Sequence, residues 1–208
     1  MTSKELFLFA DYTQLNPYAS WESIREMCDE AVQFDAASVC IPPAYVDGVK
    51  NVYGDQLKIC TVVGFPFGYN ETSIKAAETE EALRRGAEEI DMVINIGNVI
   101  NGIFGEVGNE IEVIRGICGS SVLKVIVEAG YLTEEEKIAV CSEVTEAGAD
   151  FISTCTGFGA GGTTVADIEL IRKHIGENVK IKASGSMKNA RDLELFLQAG
   201  CQRIGLFI

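Results

Sequence analysis

The sequence has one histidine, His174, and no Cys-x-x-Cys pair in 208 residues. A lone imidazole without a ligand cluster cannot build a catalytic zinc site, so no metal is expected. No apolar run approaches the roughly 18 residues that a membrane span needs. The start, MTSKE, lacks the basic segment and long apolar stretch of an export signal. Basic residues are few: 17 Lys and Arg face 31 Asp and Glu, for a formal net charge of -14. Such a chain repels nucleic acid and anionic lipid, so neither is an expected partner. A phosphorylated ligand would need local lysines or backbone N–H groups to hold it. No linker, low-complexity tract or charge block divides the chain, so one domain over residues 1–208 is expected, in the cytoplasm.

What is present fits a packed enzyme-sized domain. Apolar residues make up 47%, too many for a disordered chain. The seven cysteines are an odd number and sit mostly in apolar runs such as SVCI and KICTVV. They read as buried free thiols of a reducing compartment.

Short β-type runs alternate with helical stretches. The strands are expected at 6–10, 37–41, 58–63, 89–95, 122–128, 150–155, 179–183 and 202–207. Helices are expected at 21–34, 73–85, 106–118, 134–147, 165–175 and 190–199. Near-continuous apolar strands in this alternation indicate a parallel sheet buried on both faces. One module recurs: a helix end, a glycine, a small residue, then a strand, at Gly86, Gly148 and Gly200, with Asp35 in the glycine's place in a weaker copy. Each of these should close a helix in the left-handed conformation. The TEEE run from Thr133 has capping-box spacing. Eight such units favour an α/β (β/α)8 TIM barrel. The sequence stops at Ile208 after the eighth strand, so the last helix is expected to be missing, and a bare seam there makes a homodimer an expected partner arrangement.

Chemistry in such barrels lies at the carboxyl ends of the strands. Asp91, Lys124 and Lys182 each interrupt an apolar strand, where a charge needs a partner or a shifted pKa. Asp91 reads equally as a structural carboxylate, and an ion pair with it is the plain explanation of Lys124. Lys182 is the stronger functional candidate. Ser184, Gly185 and Ser186 follow at the seventh strand's exit, where small residues can offer N–H groups to a phosphate. Ser153 and Cys155 share one face of the sixth strand, which opens at Gly157 into a glycine-rich loop. Lysines beside a buried carboxylate suggest carbonyl chemistry through an imine, which acts as the electron sink for C–C cleavage.

The runs DYTQLNP from Asp11, TVVGFPFG from Thr61, GAEEIDMVINIG from Gly86, LKVIVE from Leu123 and KASG from Lys182 together resemble the deoxyribose-phosphate aldolase family. The resemblance covers the chain from about Asp11 to about Gly205. It implies a TIM barrel and a class I lyase that needs no metal or cofactor. It also implies a small phosphorylated sugar or aldehyde as substrate: 2-deoxyribose 5-phosphate, cleaved to acetaldehyde and glyceraldehyde 3-phosphate. By the same resemblance, Asp91 falls on the proton-relay aspartate and Lys182 on the second active-site lysine. Cys40 matches a cysteine of some members. Gly185 and Ser186 fall where the phosphate is held, with Ser186 replacing a glycine.

Three departures bear on the reaction. The family's Schiff-base lysine position is Ser153, in STCTG. The Gly/Ser phosphate loop after the eighth strand reads GLFI, and Asp-His-Thr near the start reads DYT, with Asn16 in place of a common lysine. A serine can add to an aldehyde, but the hemiacetal is no electron sink. Three functions stay open: aldol chemistry through Lys182, or Lys124 second; a non-catalytic sugar-phosphate-binding or interaction member; and a different reaction, such as an isomerisation, using Asp91 and Lys182.

Overall fold

A computed structural model describes residues 3–159, 161–185 and 190–208. Eight parallel strands close into a barrel in sequence order: β1 (Ala10–Thr13), β2 (Ser38–Ile41), β3 (Ile59–Val63), β4 (Glu89–Val93), β5 (Val122–Ile126), β6 (Phe151–Ser153), β7 (Lys180–Ala183) and β8 (Arg203–Phe207). The helices are α1 (Ser3–Phe7), α2 (Trp21–Phe34), α3 (Val46–Tyr53), α4 (Thr72–Arg84), α5 (Ile96–Ile100), α6 (Phe104–Cys118), α7 (Glu134–Glu146), α8 (Val165–His174) and α9 (Ala190–Ala199).

The strands have two different faces. Outward residues such as Val39, Ile59, Ile90, Met92, Leu123 and Ile152 are fully or almost fully buried against Met27, Ile111, Ile114, Val140 and Ile171 of the helices. Each such aliphatic side chain contributes about 1.5–3 kcal/mol on burial, so this layer carries most of the stability. Inward residues carry the charges. The local signals act as read: Thr133 and Glu136 cap α7 reciprocally, Gly148 takes φ 72° and Asp35 φ 55°, and all seven cysteines are buried and free.

The first strand was misplaced. Within the apolar run 6–10, Leu6 and Phe7 end α1, Leu8 and Phe9 form a turn, and β1 begins at Ala10. Its sequence, ADYT, looks too polar for a buried strand, yet Asp11 and Thr13 are buried because the barrel interior supplies their partners. Leu6 of α1 packs with Leu193 of α9 and Ile204 of β8, so α1 lies over the seam that was expected to be bare. Helices α3 and α5 were not anticipated either.

The barrel mouth is held by a lysine that the sequence did not single out. Lys75 of α4 is fully buried. Its ammonium donates to Gly68 O at 2.6 Å, Val93 O at 2.8 Å and Glu110 Oε1 at 2.6 Å, and Glu110 Oε2 accepts from Asn95 N at 3.1 Å. One charge thus ties the β3–α4 loop to the exit of β4. Burial depresses the Lys75 pKa despite Glu110, and it raises that of Glu110 despite Lys75.

Candidate active site

The strand register builds the site. Asp91 is the Cα partner of Lys124, Ser153 of Lys182, Lys182 of Arg203, and Thr13 of Cys40. Partners in a parallel pair point to the same side, so all of these enter the barrel.

Three carboxylates and three cations meet there. Lys182 Nζ lies 2.5 Å from Asp91 Oδ2 and 2.5 Å from Asp11 Oδ2. Lys124 Nζ lies 2.8 Å from Asp91 Oδ1, 2.6 Å from Glu89 and 3.4 Å from Asp11. Arg203 contacts Asp11 at 2.5 Å and Glu89 at 3.3 Å. All six side chains are at most 13% exposed. Such a cluster survives burial only because its charges balance.

The network sets the pKa values. Burial alone would raise the Asp11 and Asp91 carboxyls, but Lys124 and Lys182 outweigh it and hold both below the ordinary range. Burial alone would lower Lys124 and Lys182, but Asp11 and Asp91 outweigh it and hold both above the ordinary ammonium range. Lys182 is therefore a locked ammonium. Among the described residues, two groups of atoms have metal-ligand spacing, Cys40, Cys60 and Asp91, and Asp11, Cys60 and Glu89. Lys124 Nζ lies 3.2 Å from Cys60 Sγ and 2.8 Å from Asp91, so a cation is already seated among these ligands. Burial pushes the Cys60 thiol well above its ordinary value, which further disfavours a thiolate site.

The expected residues separate into three levels. Lys182, Asp91, Cys40 and Ser184 line one cavity of about 10 Å³, walled also by Phe65 and Phe207. That volume fits about one water. Lys124 and Ser153 are not among its lining residues; both are fully buried, and Ser153 Oγ has no hydrogen-bond partner among the described residues. Gly157 and Gly185 line a second, outer pocket of about 260 Å³ with Asn16, Phe158 and Phe207. Phe207 lines both spaces and stands between them. Ser186 falls outside the described residues. The exit of β7 is fixed to β6: Ser184 O accepts from Thr163 at 2.6 Å, and Ser184 N donates to Thr154 Oγ1 at 3.0 Å.

Asp11, Glu89, Arg203 and Phe207 were not chosen as site residues from the sequence. The signal was present for Glu89, two residues before Asp91 on the same face, and for Arg203, inside an otherwise apolar strand.

Comparison with known proteins decides the lineage. The family model described as DeoC/LacD family aldolase matches residues 4–204. The chain belongs to the DeoC/LacD aldolase family. A deoxyribose-phosphate aldolase of Clostridium botulinum (strain Alaska E43 / Type E3) is 52% identical over 205 residues, covering 99% of this chain and 93% of that protein. Among solved structures, an aldolase called QR15 superposes with a TM-score of 0.93 at 36% identity, over 97% of this chain and 91% of that one. A deoxyribose phosphate aldolase of Aeropyrum pernix, described as a unique tetramer, gives 0.87 at 26% identity, over 97% and 86%. In this chain, Lys182 lies beside the buried Asp91, and Ser153 is its neighbour on the adjoining strand.

Proposed function

We propose that this chain catalyses the aldol reaction of 2-deoxyribose 5-phosphate through Lys182, slowly at neutral pH. The observation that carries this reading is the position of the Lys182 amine: it reaches the inner cavity beside Asp91, and Ser153 supplies no amine. The free amine of Lys182 adds to the sugar's C1 carbonyl, and loss of water gives an iminium. That iminium accepts the electrons of the C2–C3 bond as it breaks, while the C3 hydroxyl gives its proton to Asp91 directly or through water, releasing glyceraldehyde 3-phosphate and leaving the enamine of acetaldehyde. Protonation and hydrolysis of the enamine return the lysine.

The same geometry limits the rate. The ammonium must first shed a proton that Asp11 and Asp91 both stabilise, and Asp91 is a weak base because its own pKa is lowered. The inner cavity is also far smaller than the roughly 300–1,000 Å³ usual for ligand sites. The carbonyl end would enter it once Phe207 swings aside, and the rest of the sugar phosphate would lie in the outer pocket. Turnover by the native chain, abolished in Lys182→Met, supports the reading. Equal turnover in Lys182→Met defeats it.

A second reading is a family member that binds sugar phosphate without turnover. The buried serine at Ser153 and the locked ammonium of Lys182 favour it. Calorimetric binding of the sugar phosphate with no product formed would select this reading over the first.

A further inference from the structure

Glu128 belongs to no part of the site above. It follows β5 with φ 50°, a conformation that non-glycine residues rarely adopt. Its side chain is 2% exposed. Oε2 is fully used, accepting from Thr156 N at 2.9 Å and Thr156 Oγ1 at 2.6 Å. Oε1 is buried and has no hydrogen-bond partner among the described residues. Buried carboxylate oxygens are rarely left in this state, and each such exception points to a missing donor.

Glu128 is one of the residues lining a pocket of about 50 Å³, with Gly159, Phe67, Tyr131 and Phe158. Two features suit it to a cation. Phe67, Tyr131 and Phe158 are 58%, 48% and 43% exposed, a rim of aromatic side chains of the kind that attracts ammonium groups. No Lys or Arg is among the lining residues, and the chain carries a net charge of -14 that draws cations toward it. Gly159 lets the chain pack directly against the carboxylate, because a Cβ built there would lie 2.6 Å from Oε1.

We propose that Glu128 and this aromatic rim form a binding site for a small primary ammonium ion, with an N–H donating to Oε1 and the charge facing the rings. The volume admits a one- or two-carbon alkylammonium, since one water needs roughly 10–15 Å³ on the same measure. The site needs an N–H, so a quaternary ammonium should not replace the ligand. It also needs the charge, so a neutral alcohol of the same size should not either.

The test is ligand-observed saturation-transfer NMR on the native chain with methylammonium at neutral pH and low salt. Saturable binding with a Kd on the order of millimolar is expected from one charge-assisted hydrogen bond. Methanol and tetramethylammonium should bind at least tenfold more weakly. Gly159→Ala, which crowds the carboxylate oxygen the ligand must reach, and Glu128→Gln, which removes the charge, should each weaken methylammonium at least tenfold, with thermal unfolding confirming that both variants are folded. The proposal is overturned by the absence of saturable binding, which would leave water as the occupant of the pocket. It is equally overturned by methanol binding as tightly as methylammonium, or by unchanged binding in folded Gly159→Ala. None of these outcomes depends on aldol activity, so this site and the Lys182 reaction stand or fall separately.

Discussion

Replacing Ser153 with lysine should raise aldol turnover, and the size of the change follows from the barrel's charge balance. Asp11, Glu89 and Asp91 are matched one for one by Lys124, Lys182 and Arg203, so a seventh group carrying positive charge would have no carboxylate of its own. Ser153 is the Cα partner of Lys182, which puts the strands about 4.8 Å apart there. Two ammoniums about 5 Å apart repel by about 3 kcal/mol at an effective dielectric constant near 20. That repulsion lowers the new lysine by about 2 pK units, from about 10.4 to about 8, and burial lowers it further. At pH 7.5 the free-amine fraction then rises from below about one in a thousand, because Lys182 is held above the ordinary range, to at least about one in ten, a gain of at least ~10² from protonation alone. Against this stands overpacking at a fully buried position, which typically costs 1–3 kcal/mol. The assay is release of glyceraldehyde 3-phosphate from 2-deoxyribose 5-phosphate, with borohydride trapping to locate the adduct. A rise of at least ~10² with the adduct at position 153 is expected on this protonation argument. A folded Ser153→Lys protein with native rates, or with its adduct elsewhere, would refute the reasoning about the network.

Three further outcomes follow. For the native chain, log kcat/KM should climb about one unit per pH unit from about pH 7 to 9, because the Lys182 amine is held above the ordinary range; a plateau at neutral pH contradicts this. In thermal unfolding, Asp11 and Asp91 have depressed folded pKa values and Lys124 and Lys182 raised ones. The stability they give is therefore complete between about pH 4 and about pH 10, is lost as pH falls below the first, and is lost as pH rises above the second. A loss of Tm already present at pH 5.5 that disappears in Asp91→Asn would run against this sign. Lys75→Met should destabilise by about 3–5 kcal/mol, since it strands Glu110 as a buried unpaired charge. In urea titrations, the double variant with Glu110→Gln should cost less than the two single changes added together, and strict additivity would show that the pair is not coupled.

Most of the fold was legible because its signals are local. Runs of five to seven residues, mostly apolar, marked seven strands, and the glycine that ends each repeated unit marked the helix ends at Gly86, Gly148 and Gly200. β1 escaped because its polarity makes sense only inside a closed barrel: Asp11 is tolerable where Lys182 and Arg203 arrive from strands more than 160 residues later. Asp91, Lys124 and Lys182 stood out as charges within apolar strands, and the ion pair proposed for Lys124 with Asp91 is present at 2.8 Å. Lys75 was invisible for the opposite reason. It lies in TSIKAAETEE, where a lysine ordinarily extends to solvent, and only the return of α6 brings Glu110 against it. The locking of Lys182 was not legible either, because one of its two carboxylates is Asp11.

The most direct test of the central claim is borohydride trapping of the native chain. The protein is incubated with 2-deoxyribose 5-phosphate above pH 8, reduced and mapped by peptide mass spectrometry. A reduced adduct on Lys182, growing with pH and absent in Lys182→Met, is the predicted result. An adduct on Lys124 or another lysine, or none at all under conditions where product accumulates, would contradict the assignment of Lys182 as the imine-forming residue.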